Sequence, residues 1–280
     1  MLIELAALIS IFLPVNVLAQ GGRGGRANVP PSGKAGAPID VTGYWTAVIT
    51  EDWHVRMLTA PKGDFGTGQP GTFPPSVGGT AANPANGGNI PFNAQGVKLA
   101  MAWDPAKDEA EKDLCKAYGA AGIMRQPVHL HIAWEDDRTL RMDIDYGTQT
   151  RLLHFKMPAT AGQAAAKAEP PGESSPQGYS IAEWISVGGN RPDWPRGGNL
   201  KVVTTNLKPG YYWKNGMPYS GKAVMTERYR VSKEDNGDVW LNMWQMVDDP
   251  EYLREPFIVN YSFKKLPDGS RFRPTACSGR

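Results

Sequence analysis

The sequence predicts a mainly all-β fold, an antiparallel barrel of about 8–10 strands with one or two short helices and long loops. Three observations predict it. Segments in which apolar and polar residues alternate recur from Gly43 to Lys264, turn signals such as Asn236-Gly237 and Asp268-Gly269 separate the later ones, and no alternating strand–helix units are present. The chain has 280 residues, 41% of them hydrophobic, enough for a sizeable core. Consecutive hairpins of this number close or nearly close on themselves, and a barrel of that size leaves an interior that can hold a small ligand.

Taken in order, residues 1–19 contain the apolar stretch Leu5 to Leu18 followed by Ala19. Val17-Leu18-Ala19 fits the small-residue rule for a signal peptide cleaved before Gln20, although no Lys or Arg precedes the stretch. A membrane anchor needs about 20 apolar residues, and this run is shorter and is broken by Pro14 and Asn16. Export to the periplasm or the exterior is expected, with no stable membrane span after cleavage. Residues 20–38, rich in Gly, Arg, Pro and Ala, read as a disordered leader, and residues 39–280 as a single barrel domain.

The first strand is expected at Gly43 to Thr50, with Asp52 to Met57 as a second strand or a bulged continuation. Pro61 to Pro91 is a long Gly/Pro/Asn/Thr-rich insertion of the kind that forms lids or mobile loops. Helices are expected at Asn93 to Trp103 and at Pro105 to Tyr118, the second with Asp104 as N-cap. Strands follow at 128–134, 139–146, 149–156, 179–187, 199–206, 223–232, 238–247 and 257–264. Pro158 to Gln177 reads as a second surface loop, and Tyr211-Tyr212-Trp213 as a loop beside Pro209-Gly210.

The formal charge of +2 comes from 30 basic and 28 acidic residues that are interspersed, with no long basic run, which excludes a nucleic-acid partner on electrostatic grounds. There is no Gly-x-Ser-x-Gly, no P-loop and no Gly-x-Gly-x-x-Gly that follows a strand, so a serine hydrolase, a nucleotide phosphate site and a dinucleotide cofactor site lack support. Cys115 and Cys277 are the two cysteines. In an exported chain they suggest a disulfide worth roughly 4 to 5 kcal/mol in the chain-entropy model, the alternative being two buried thiols.

The strand Val128-His129-Leu130-His131-Ile132-Ala133-Trp134 carries half of the four histidines, two residues apart and therefore on one face. The next strand sets Arg141, Asp143 and Asp145 opposite Leu140, Met142 and Ile144. Two imidazoles presented this way can bind one divalent metal ion, with His154, Asp143, Asp145 or His54 as a third ligand; the donor set does not choose among Zn, Fe, Mn and Cu. Without a metal, His129, His131 and Asp143 form an acid–base set suited to an isomerase, lyase or hydratase, with Arg141 to hold a developing negative charge. The alternative is a ladder of ordinary polar contacts on the outside of a sheet. The direction of that face decides between them.

His54 and Arg56 alternate in the same way and could converge with His129 on a common interior, where Arg141 and Asp145 would also contact a ligand. Glu227 is a plausible acid or base if buried, or one half of a structural salt bridge. Tyr212 and Trp213 are candidates for stacking on a sugar or a flat apolar molecule at a barrel mouth.

Gly43-x-Trp45 resembles the Gly-x-Trp signature of lipocalins, in which the Trp plugs the closed end of the barrel. The stretches from Gly43-Tyr44-Trp45 to Trp53, Cys115 to Trp134, Gly147 to Arg151, Thr226 to Tyr229, Val247 to Pro250 and Glu255 to Phe257 also resemble a group of secreted bacterial β-rich proteins. The resemblance implies export and an all-β fold, and it carries no substrate. The first functional expectation is therefore an exported barrel of lipocalin or calycin type that binds a small, partly apolar molecule in its interior. A barrel enzyme using the His/Asp cluster and an interaction protein of the cell envelope are the alternatives.

Overall fold

The computed structural model describes residues 32–48, 62–63, 90–156, 172–187 and 197–279. Eleven strands are present among them: β1 (Gly43–Val48), β2 (His129–Trp134), β3 (Thr139–Ile144), β4 (Gln149–Phe155), β5 (Tyr179–Val187), β6 (Gly197–Thr205), β7 (Gly210–Trp213), β8 (Met217–Tyr219), β9 (Val224–Lys233), β10 (Val239–Asp248) and β11 (Phe257–Leu266). Nine close into a barrel in the order β1-β11-β10-β9-β6-β5-β4-β3-β2, while β7 and β8 pair separately. The expected signal segment, the extension of β1 to Thr50 and the strand at Asp52 to Met57 lie outside the described residues.

The strand spans from β2 to β6 and from β9 to β11 fall within two residues of those the alternation predicts. One pairing departs from the antiparallel rule. β4 and β5 run parallel, with Leu153 opposite Ser180 and Phe155 opposite Ala182. A parallel pair needs a long connection, and here the chain leaves β4 at one end of the barrel and starts β5 at the other. The start of β5 is fixed there because the Pro176 carbonyl accepts from Ala120 N (2.9 Å) and Gln177 donates to the Tyr118 carbonyl (2.7 Å).

Helix α1 (Ala94–Ala102) is capped by Asn93, whose side chain accepts from Gln95 N and Gly96 N. Helix α2 (Pro105–Ala110) begins on Asp104 as expected but stops eight residues before Tyr118. Lys112 takes a left-handed conformation (φ 55°), and Cys115 is held by the disulfide to Cys277, so the helix cannot continue. A short 3₁₀ turn (Lys116–Tyr118) and helix α3 (Ala120–Ile123) follow. No helix among the described residues is long and apolar enough to cross a membrane.

The barrel's inward rows are apolar: Leu130 and Ile132 of β2, Leu140, Met142 and Ile144 of β3, Leu153 of β4, and Leu241, Met243 and Phe263 of β10 and β11 are all buried in one cluster. Burying each such side chain contributes about 1.5–3 kcal/mol. At one end the cluster meets α3 and a second core formed by α1, β7 and β8, which includes Phe92, Tyr212, Met217 and Tyr219. At the other end a strap, residues 33–41, crosses the mouth.

The strap corrects the expected leader, which was to run to Pro38. Gly33 is buried with φ 66°, and a Cβ there would strike the Asp137 carbonyl. Its own carbonyl accepts from Trp184 Nε1 (2.8 Å), and Lys34 N donates to the Asp137 carbonyl (2.9 Å). Trp45, fully buried, donates its indole N–H to the Val41 carbonyl (3.0 Å). Residues 33–38 therefore belong to the folded domain.

Candidate ligand-binding site

The histidine face points outward. Leu130 and Ile132 fill the barrel, so His129 and His131 stand on its outer surface, as do Arg141 and Asp143. This is the polar ladder, and it corrects the expectation of an interior His/Asp site. His129 Nδ1 lies 2.8 Å from Asp145 Oδ2, and its backbone N–H donates to Asp145 Oδ1 (2.7 Å). Asp145 is buried and also accepts from Arg273 N, so it fastens the start of β2 to the C-terminal segment. His131 stacks on Tyr44 (4.3 Å between ring centroids) and meets Phe272 edge-on. Burial alone would raise the Asp143 carboxyl, but hydrogen bonds from Arg141 Nε (2.9 Å) and Thr150 Oγ1 (2.6 Å) outweigh it and hold the group below the ordinary carboxylate range.

The metal set is not assembled either. His154, on β4, stacks on Tyr179, and among the described residues no three His, Cys, Asp or Glu side chains converge as a metal site. His129, His131 and His154 are thus separate side chains on the outer wall. His54 and Arg56 lie outside the described residues. Tyr212 and Trp213 are not at a mouth: both belong to β7 and are buried in the second core, with Arg125 stacked 4.3 Å over the Trp213 ring. What reads as a loop is a hairpin, turned at Asn215-Gly216, where Gly216 has φ 80°.

Inside the barrel the sequence holds a pair that its patterning announces. Arg151 shares its face of β4 with Leu153 and Phe155, and Glu227 shares its face of β9 with Met225 and Tyr229, so both charges point inward. They meet as a two-pronged ion pair, Nη1 to Oε1 at 2.9 Å and Nη2 to Oε2 at 2.6 Å, both side chains fully buried. Tyr229 donates to Glu227 Oε1 (2.8 Å), and Thr204 and Ser180 extend the network. Burial, and next the Glu227 charge, push the Tyr229 hydroxyl well above its ordinary value. With both partners sealed from solvent, the pair works as a polar rivet between opposite walls and not as a place where substrate could react.

Room for a ligand opens at the strap end. A cleft of about 300 Å³ is lined by Pro38, Ile39, Asp40, Val41, Trp134 and Trp184. β2 ends in Trp134 and β5 carries Trp184, both on the inward faces, and each packs against Phe155 (5.3 Å between centroids). The three rings form an aromatic floor that the strap only partly covers. The Trp184 N–H is spent on Gly33, whereas Trp134 donates no hydrogen bond among the described residues. Asp40 sits on the rim; burial would raise its carboxyl, but hydrogen bonds from Thr42 and the nearby Lys265 charge hold it below the ordinary range.

A second depression, beside Asp108, Lys116 and Tyr211, has a volume of about 10 Å³, the size of one water molecule, and its polar groups bond one another. The mouth cleft therefore has the better geometry: two inward-facing indoles, an apolar strap and one ionised carboxylate. Comparison with protein-family models, with curated proteins and with solved structures gives no match, so the functional reading rests on this geometry alone.

Proposed function

We propose that this protein is an exported barrel that binds a small, flat, partly apolar molecule at the strapped mouth of the barrel, not in its packed centre. The observation that carries the reading is the exposed edge of the Trp134–Phe155–Trp184 floor beside the ionised Asp40. Aromatic walls with a single fixed polar group are the usual composition of a small-ligand site. A ring or short apolar body would lie on the indoles, and an N–H, O–H or cationic group on it would face Asp40. The Cys115–Cys277 disulfide supports export, because such bonds persist in oxidising compartments.

N-phenylnaphthylamine, an uncharged flat probe with one N–H, tests the reading. Its fluorescence is expected to rise on binding the mature protein, and Trp134→Ala is expected to weaken binding about tenfold, the loss of one aromatic contact. Equal binding by Trp134→Ala and Tyr44→Ala variants, or none by the parent protein, would remove the mouth cleft as the site.

A further inference from the structure

We propose a second binding site, for an acidic saccharide, on the outer wall formed by β6, β9, β10 and β11. The outward side chains of these strands enclose a groove of about 390 Å³ lined by Asn199, Arg228, Arg230, Asn242, Trp244 and Asn260, with Ser262 beside them. The register places them in rows: Arg228 opposite Trp244 and Trp244 opposite Asn260, then Arg230 opposite Asn242 and Asn242 opposite Ser262. Antiparallel partners of this kind have their side chains within reach of one ligand.

The pairing of charge sets this patch apart from several other positions on the surface. Four cations there have carboxylate partners: Arg141 with Asp143, Lys201 with Glu183, Lys222 with Glu251 and Lys264 with Asp238. Arg228 and Arg230, two residues apart on one face, have none among the described residues; Arg228 reaches only the Asn199 amide (3.3 Å). Two guanidiniums held side by side repel each other, and an anion between them removes that cost. Arg230, Trp244 and Asn260 make no side-chain hydrogen bond or ion pair among the described residues, so their donors and the indole are available.

The remaining groups point to sugar. Trp244, half-buried, offers a ring for the apolar face of a pyranose, and the amides of Asn199 and Asn260 can bond hydroxyls, while Asn242 is held between Ser232 and Ser262. A long polyanion such as nucleic acid would need a continuous basic track, and this one is interrupted. Beyond Asn242 the wall turns acidic, with Glu234, Asp235 and Asp238 around a neighbouring hollow. Those carboxylates repel the same anion, so the acid group of the ligand must lie toward Arg228 and Arg230.

The test is calorimetric titration of the mature protein with oligogalacturonate, a uronic-acid oligomer, beside uncharged galacto-oligosaccharide of the same length. Oligogalacturonate is expected to bind and the uncharged sugar to bind at least tenfold more weakly. Arg228→Ala and Arg230→Ala are each expected to weaken binding about tenfold, as loss of one charge-assisted hydrogen bond does. Trp244→Ala is expected to weaken it further, with thermal melts showing all three variants folded. No binding of oligogalacturonate, equal binding of the uncharged sugar, or undiminished binding by the Arg228→Ala/Arg230→Ala double variant would each overturn the proposal. So would binding of phosphatidylglycerol vesicles in place of the sugar, which would assign the groove to a lipid surface.

Discussion

The two ends of the barrel are built in opposite ways. At the end bearing α3, the apolar interior continues into a second core, Gln245 donates to the Ala121 carbonyl (2.9 Å), and a disulfide pins the C-terminal segment alongside. Lys214 and Tyr118 add hydrogen bonds to Ser278. At the other end, a strap spanning residues 33–41 is held to the barrel by a handful of hydrogen bonds, three of them made by Gly33, Lys34 and Val41. Among the described residues, the first end has layers, covalent closure and buried charge, and the second has an aromatic floor and a thin cover. A small domain gains from this division, since the end that must admit a ligand is relieved of holding the fold together.

Perturbing each end should show that division. The largest effect is expected inside the barrel, on the side of the fixed end: Glu227→Ala leaves the Arg151 guanidinium buried without its counter-charge and should cost about 3–5 kcal/mol in urea unfolding. Replacing both partners, as Arg151→Met/Glu227→Leu, should recover most of that loss; no recovery would mean that the network serves more than packing. Cys115→Ser/Cys277→Ser should cost about 2–5 kcal/mol and leave N-phenylnaphthylamine binding intact, because the mouth lies at the opposite end. Trp184→Phe removes the indole hydrogen bond to Gly33 together with part of the ring that packs on Phe155, and should cost at least about 0.5–1.5 kcal/mol. It should also speed amide exchange in residues 33–41 while leaving exchange at β9 and β10 unchanged, and a uniform increase would show that the strap is part of the global unit.

The smallest effects are expected from pH, and they should also separate the ends. Burial raises the Tyr212 and Tyr229 hydroxyls, so the folded state keeps those protons longer than the unfolded chain does. Their contribution is present below about pH 10 and is lost as pH rises beyond it, which should appear as a fall in Tm accompanied by late phenolate absorbance. Asp40 is shifted the other way, so its contribution holds above its ordinary value of 3.8 and fades as pH falls through its lower folded value. Probe affinity at the mouth should be flat from neutrality to about pH 4 and drop below it; a drop centred well above that range would remove Asp40 as the group that faces the ligand.

Much of this architecture was legible in the alternation of residues, because a side chain's face follows from counting by twos. That count yields the strands and the division of each into an apolar and a polar face, but it leaves open which face turns inward, and with it the direction of the histidines. It also carries a signal for the rivet: Arg151 between Leu153 and Gln149, and Glu227 between Met225 and Tyr229, are charges on apolar faces. Their partnership is set by how the barrel closes, which no local pattern encodes. The hairpin of β7 and β8 is hidden because Pro209-Gly210 resembles a loop start, although Asn215-Gly216 is a turn signal of the same kind as Asn236-Gly237. The strap escapes prediction because its hold on the fold comes from backbone groups and a buried glycine, and composition is blind to both.

The parallel pairing of β4 with β5 has a consequence for the ancestry of shape within the chain. It divides the barrel strands into two runs, β1 to β4 and β5, β6, β9, β10 and β11, whose barrel strands pair along two seams among the described residues, β4–β5 and β1–β11. The disulfide joins residues on either side of that division, and so does the Arg151–Glu227 contact. In assembly terms the molecule is a heterodimer of half-barrels written in one polypeptide. A chain cut between Phe155 and Tyr179 should yield two fragments whose open edges complement each other and whose strongest cross-links are already in place.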